Sequence, residues 1–375
     1  MYKKILLPAG LLSATIIGAG VFALPYVFQK AGLIPGIFYL AIFGGVFVLI
    51  HLMYADTILK TQGSHRFAGY AEIYLGRFAK WLTAITTIAG MILVLVVYLI
   101  LSASFINLIF PGWFDSYKIV IFWLLGSLAI FLKINRLALS DFIITLSIVA
   151  IILIIFIFGL ENLNQAIPRL AFLNFPYLFI PYGAVLFSLN GRVAIPQIIN
   201  YFQKNNLPPI KAKTPIILGT LIPAVVYFLF IAAILALSGN VSQDAVSGLL
   251  DGLPFWVLKL LGVLGIISIW STYIVIGRDV ENSMEYDFHL PKLLASLVVI
   301  FLPLALYLIG LQNFLNLVSF IGGVFIGLEG ILIVLIWRRA MGKNNLPAIF
   351  KNKWPAISFV LLAVFVVGII YEIVY

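Results

Sequence analysis

The chain has 375 residues, of which 63% are hydrophobic and only 10% charged, against the roughly 25% charged share of soluble domains. A mean hydropathy of +1.17 marks a polytopic membrane protein whose loops leave no room for an independent soluble domain. The net charge of +10 then reads as loop charge on one side of the membrane, with the lipid bilayer as partner and no nucleic acid. Cysteine is absent, which excludes disulfides, thiolate metal sites and a Cys nucleophile.

Stretches of about twenty apolar residues predict about eleven spans, near 5–30, 35–59, 80–110, 117–132, 139–160, 172–202, 214–238, 255–278, 291–310, 314–337 and 354–374. The basic start, Lys3 and Lys4 before an apolar run, lacks a cleavage site and reads as the first span rather than as a signal peptide. With that end cytoplasmic, the same side carries Lys60, Arg66, Arg77, Lys80, Lys133, Arg136, Lys204, Lys211, Lys213, Arg278, Lys292, Arg338, Arg339, Lys343, Lys351 and Lys353. The other side holds only Lys30, Lys118, Arg169 and Lys259. Such asymmetry predicts a cytoplasmic-membrane protein with its N-terminus inside and its C-terminus outside.

Within the first span, Gly18, Ala19 and Gly20 interrupt an otherwise helical stretch, and Gly20-Val-Phe-Ala-Leu-Pro25 returns at the same spacing as Gly191-Arg-Val-Ala-Ile-Pro196 in the sixth. Paired Gly/Pro interruptions point to a transporter binding site. Two breaks five spans apart run in opposite directions, so the predicted fold is all-α with two inverted halves, about 5–160 and 172–338, and an added helix at 354–374. Backbone freed at a break persists in hydrocarbon only where it lines a cavity. The amides of Ala19, Gly20 and Val21 suit a carboxylate, and the carbonyls near Ala14 and Ile17, with those of Ser188 and Leu189, suit an ammonium or sodium ion. Close helix packing at the small residues is the structural alternative.

Ser13-Ala-Thr-Ile-Ile-Gly-Ala-Gly-Val-Phe-Ala-Leu-Pro25 resembles the first-helix signature of the amino acid/auxin permease family and its bacterial aromatic amino acid permease relatives. Further resemblances follow in order: His65 to Gly76, Tyr98 with Ser102 and Ala103, Phe187 to Pro196, and Trp270-Ser-Thr-Tyr273. Together they imply a LeuT-like five-plus-five fold and cation-coupled amino acid uptake. They also imply a sodium site made by Ser271 and Thr272 with the carbonyls of Ala14, Ile17 and Ser268. The family's alternative, a fifth-helix lysine for proton coupling, has no counterpart in 139–160. Arg192 stands where the aromatic permeases often carry histidine, and an always-charged guanidinium cannot shuttle protons.

An arginine inside a span needs a partner. Depth favours Glu329 over Asp56, leaving open a substrate-carboxylate anchor, a fixed charge replacing a coupling cation, a gating pair or a structural lock. Phe22, Tyr98, Phe187, Ser188 and Asn190 are candidate pocket-lining residues. His51 and His65 read as non-catalytic, and Asp279, Glu281, Glu285 and Asp287 as a solvated loop. No cofactor is expected beyond a coupling Na+ or H+, and the substrate is expected to be an amino acid. A transport-inactive amino acid sensor is the alternative, and a membrane-embedded enzyme lacks the converging acid and base groups it would need.

Overall fold

The computed structural model describes residues 2–131, 137–163, 171–249, 253–341, 349–350 and 355–374. The basic residues Lys133, Arg136, Arg169, Lys343, Lys351 and Lys353 lie outside them. All regular structure among the described residues is helical. After a π-helical turn, α1 (Leu7–Ile16) begins with Pro8 in its first turn, where the missing N–H costs nothing. It stops at Ile17 (φ −72°, ψ 95°), and Gly18 is extended. A 3-10 turn, Ala19–Ala23, then leads into α2 (Leu24–Ala31), with Pro25 again in the first turn. The axis bends by 52° across this break.

The chain continues through α3 (Leu33–Leu59), α4 (Phe67–Leu75), α5 (Arg77–Ile109), α6 (Asp115–Phe131) and α7 (Leu137–Leu160). The second break separates α8 (Pro181–Leu189) from α9 (Ala194–Lys204), with Asn190 extended (φ −72°, ψ 119°). Then come α10 (Lys213–Leu237), α11 (Phe255–Phe288), α12 (Lys292–Leu308), α13 (Phe314–Phe320), a π-helical stretch Ile321–Ile326, α14 (Gly327–Ala340) and α15 (Pro355–Val374). Long α11 lies along α5, α10 packs on α1, α3 and α7, and α8 sits against the π-helical stretch. The unbroken helices therefore form a frame around the two broken ones.

Two expectations need correction. Six helices among the described residues are long and apolar enough to cross a membrane: Leu33–Leu59, Arg77–Ile109, Pro209–Leu237, Phe255–Phe288, Phe314–Ala340 and Ala356–Val374. The bent pair Lys4–Ile16 and Ala19–Ala31 makes a seventh if taken as one span, so eleven is overturned. The count failed because apolar sequence does not fix helix length. The stretch 172–202 forms helices of only nine and eleven residues, and Asp115–Phe131 and Lys292–Leu308, at 17 residues each, fall short of the ~20 residues a span needs. Secondly, Asp279, Glu281, Glu285 and Asp287 are not loop residues but the last turns of α11. Arg66 reaches that end from before α4, donating to Asp279 Oδ1 (3.0 Å) and Ser283 Oγ (2.8 Å), while buried Glu281 accepts from Ser296 on α12.

Candidate functional site

The two breaks touch, and glycine is what lets them. A Cβ on Gly20 would lie 2.6 Å from Ser188 Cα and 2.9 Å from Phe187 Cδ1; one on Gly191 would lie 2.5 Å from Ile16 Cγ1 and 2.8 Å from Leu12 Cδ1. Each echo glycine thus accommodates the other broken helix. Beyond the break, Phe22 is pinned edge-on between Phe105 on α5 and Phe230 on α10, with ring centroids at 5.0 and 5.7 Å.

Backbone groups freed at the breaks need partners, and two side chains from the frame provide them. The hydroxyl of Tyr227, on α10 and fully buried, lies 2.7 Å from the Ile16 carbonyl and 3.0 Å from the Ser188 carbonyl, spanning the C-terminal ends of α1 and α8. His51 on α3, also fully buried, accepts the Gly191 N–H at Nε2 (3.2 Å). That nitrogen is therefore unprotonated, and Nδ1–H donates to Thr220 Oγ1 (2.9 Å), whose own proton goes to the Ile216 carbonyl (2.9 Å). These bonds assign a neutral imidazole. Asn190 Oδ1 accepts the Arg192 N–H (3.2 Å), closing the second break locally, and Val21 N–H donates weakly to the Gly18 carbonyl (3.4 Å).

The candidate cation ligands come from two places in the chain, the end of α1 and the middle of α11. The helix bearing Ala14 packs on α10, α9 and α7, while Ser268, Ser271 and Thr272 belong to α11. Thr272 Oγ1 donates one turn back to the Ser268 carbonyl (2.9 Å), the habit of hydroxyls in apolar helices, and Ser271 is buried. Tyr98 stands between the groups. Its hydroxyl is 3.8 Å from where a Cβ on Gly18 would be, and it shares a side-chain hydrogen bond with Thr272. Among the described residues no cluster of His, Asp or Glu is placed to hold a metal ion.

Arg192, in the turn after the second break, donates from Nε to Glu329 Oε1 on α14, and its guanidinium lies 4.5 Å from the Phe67 ring centroid. The two side chains are only 9% and 13% exposed, which makes this a desolvated pair. Arg192, Val193, Tyr54, Phe67, Met91 and Gln197 line a cavity of about 260 Å3 whose rim carries Arg66, Asp279, Ser283 and Asp287. Toward the C-terminal end of α5, away from Arg66, a loop is tied down. There Asp244 gathers Ser104 Oγ (2.5 Å), Ser242 Oγ (2.7 Å) and both the amide (3.1 Å) and hydroxyl (2.7 Å) of Ser247, and Gln29 bonds Gly239 and Val241. The loop 238–249 is thereby tied over α2 and α5.

Asp56 is elsewhere. It accepts from Trp337 Nε1 (2.9 Å) and from the Ile349 amide (2.6 Å), joining α3 to α14 and to the chain before α15. Tyr227, His51 and Asp244 escaped the sequence reading. Nothing local distinguishes Tyr227 among 17 tyrosines, and the isolation of His51 from other metal-ligand types concealed a partner on another helix.

Several solved structures are similar to this chain, matched over 98% of its length at 13–15% identity. They include the Eremococcus coleocola manganese transporter with an aromatic bis-isothiourea compound (TM-score 0.69, 14% identity, 86% of that chain covered). MhsT in complex with L-phenylalanine gives 0.67, 13% and 97%, and the nucleobase-cation-symport-1 transporter Mhp1 with bromovinylhydantoin gives 0.60, 15% and 90%. Identity this low shows a shared LeuT-like fold, and the three bound or carried species are too unlike to choose a substrate. A search of curated proteins finds no match. Residues 1–259, more than half of the sequence and including both breaks, Tyr98, Arg192 and Tyr227, match the tryptophan/tyrosine permease family. This chain, an integral membrane carrier rather than an enzyme, belongs to that family.

Proposed function

We propose that the protein imports amino acids by alternating access coupled to Na+ or H+, with the substrate held at the paired breaks. The observation that carries this reading is the reciprocal contact of the two breaks, with their carbonyl ends turned to one hydroxyl and the Gly191 amide to one imidazole. A zwitterion supplies both chemistries, an ammonium for carbonyl ends and a carboxylate for amides. Gly18, Ala19, Gly20 and Val21 offer backbone to it, Phe22, Tyr98 and Phe187 offer aromatic surface, and Ser188, Leu189 and Asn190 form the second wall. The cavity reaching Arg192 is the open approach, and the lid tied by Asp244 closes the other.

Equilibrium binding of labelled aromatic and aliphatic amino acids to the purified protein tests this, comparing sodium with choline at neutral and acidic pH. At least one amino acid should bind saturably, and one of the two ions should tighten it. Hard oxygen donors for sodium are Ser271, Thr272 and the Ser268 carbonyl; the carboxyl groups available to a proton are Glu329 and Asp56. Under sodium coupling, Thr272→Ala should weaken the sodium effect about ten-fold, the scale of one lost polar ligand. Absence of saturable binding for every amino acid would sink the reading.

Loop charge supports placing the N-terminus and the Arg66 rim in the cytoplasm and the Asp244 lid and C-terminus outside. The absence of cysteine makes this simple to check. A membrane-impermeant thiol reagent should label Gly239→Cys in intact cells and should label Ser64→Cys only after lysis; the reverse pattern would invert the orientation.

A further inference from the structure

We propose that Tyr227 is a built-in stand-in for the substrate's ammonium group, and that loading requires its hydroxyl to give up at least one of the two carbonyls it serves. This rests on the amino acid reading above and assigns a competitor to that site. Ile16 ends α1 and Ser188 is next to last in α8, so both carbonyls lie at the negative ends of half-helices. Neither can be left bare in a site closed to water, because an unsatisfied buried carbonyl is costly. Tyr227 meets that need from α10, an unbroken helix, with a hydroxyl at 2.7 and 3.0 Å.

The match is chemically incomplete. A phenol has one proton and two acceptors to serve, so one carbonyl receives at best a shared bond. An ammonium has three N–H donors and a full positive charge, and it can satisfy both carbonyls at once. Tyr227 therefore stabilises the unloaded carrier with a weaker copy of the interaction the substrate makes. Because Gly20 abuts Ser188, releasing the Ser188 carbonyl is also felt at the first break. Specificity follows from the same exchange. A ligand without a cationic group has nothing with which to replace the hydroxyl.

Tyr227→Phe keeps the ring and removes only the hydroxyl. The variant should bind amino acid about ten-fold more tightly than wild type, since the unloaded state loses at least one more hydrogen bond than the loaded one. The desamino analogue of the same acid should gain nothing. Its unloaded form should melt earlier than wild type and be restored by the amino acid. Normal binding by wild type with unchanged or weaker binding by Tyr227→Phe overturns this proposal alone, making Tyr227 a fixed strut or a direct ligand. Wild-type protein that binds no amino acid overturns the functional reading and this proposal with it. If the variant does not fold, infrared difference spectra of wild type decide: a change in a hydrogen-bonded tyrosine band on adding the amino acid, absent with the desamino analogue, is expected. No tyrosine change with the amino acid rejects the exchange.

Discussion

Arg192→Met is expected to destabilise the protein by about 3–5 kcal/mol, and Glu329→Leu by a similar amount, while the double variant recovers most of that loss. Each single change leaves one charge stranded where its own side chain is only 9% or 13% exposed. Removing both removes the stranded charge, and residues of similar volume fill the space. The Phe67 ring 4.5 Å from the guanidinium favours a cation there, yet a contact of about 2 kcal/mol does not replace the lost carboxylate in Glu329→Leu. Thermal unfolding followed by intrinsic fluorescence measures all three. Function should separate from stability: Arg192 lies directly after the second break and lines the open cavity, so the refolded double variant should still fail to transport. A double variant as unstable as the sum of the singles would mean that the pair acts through packing and not through charge. A double variant that transports normally would reduce it to a helix lock.

The second large effect belongs to Gly20. Even alanine places a Cβ 2.6 Å from the Ser188 backbone, which cannot swing aside as a side-chain end can. Overpacking of this kind costs about 1–3 kcal/mol, and the breaks must part to absorb it. Substrate affinity should therefore fall by about ten- to a hundred-fold in Gly20→Ala. Gly191→Ala should do less harm, because its new methyl meets side-chain atoms of Ile16 and Leu12 and no backbone. Gly45→Ala on α3 meets nothing within 4 Å and serves as the control. Equal losses at Gly20 and Gly45 would show that the effect is not contact between the breaks.

How much of this could be read in the sequence depended on whether the cause was local. The breaks were legible because glycine, proline and their echo act on the residues that carry them. Arg192 stood out because a charge inside an apolar run demands an explanation, and depth along the chain pointed to Glu329. Helix lengths were not legible: the break at Gly191 was expected within 172–202, but not that the two pieces would be helices of only nine and eleven residues, with Asn190 closing the turn between them through its own side chain. Nor were the groups that stabilise the opened backbone. Tyr227 and His51 act across helices far apart in the chain, and a hydroxyl or imidazole in an apolar stretch does not reveal which carbonyl or amide it will meet. Tyr98, which stands between the first break and Thr272, likewise acts across helices distant in sequence. Asp56, weighed in the sequence only as a shallower partner for Arg192, is buried, and its own partners, Trp337 and the Ile349 amide, come from the far end of the chain.

The central claim is that the paired breaks form a gradient-driven path for an amino acid. Its most direct test is uptake of a mixed labelled amino acid pool into liposomes containing the purified protein, under an inward sodium gradient, an inward proton gradient or neither. One amino acid should accumulate above its external concentration under one gradient, stop when that gradient is collapsed, and fail to accumulate in Gly20→Ala liposomes. Saturable binding with no accumulation under either gradient would contradict transport and leave a receptor that senses the amino acid without carrying it.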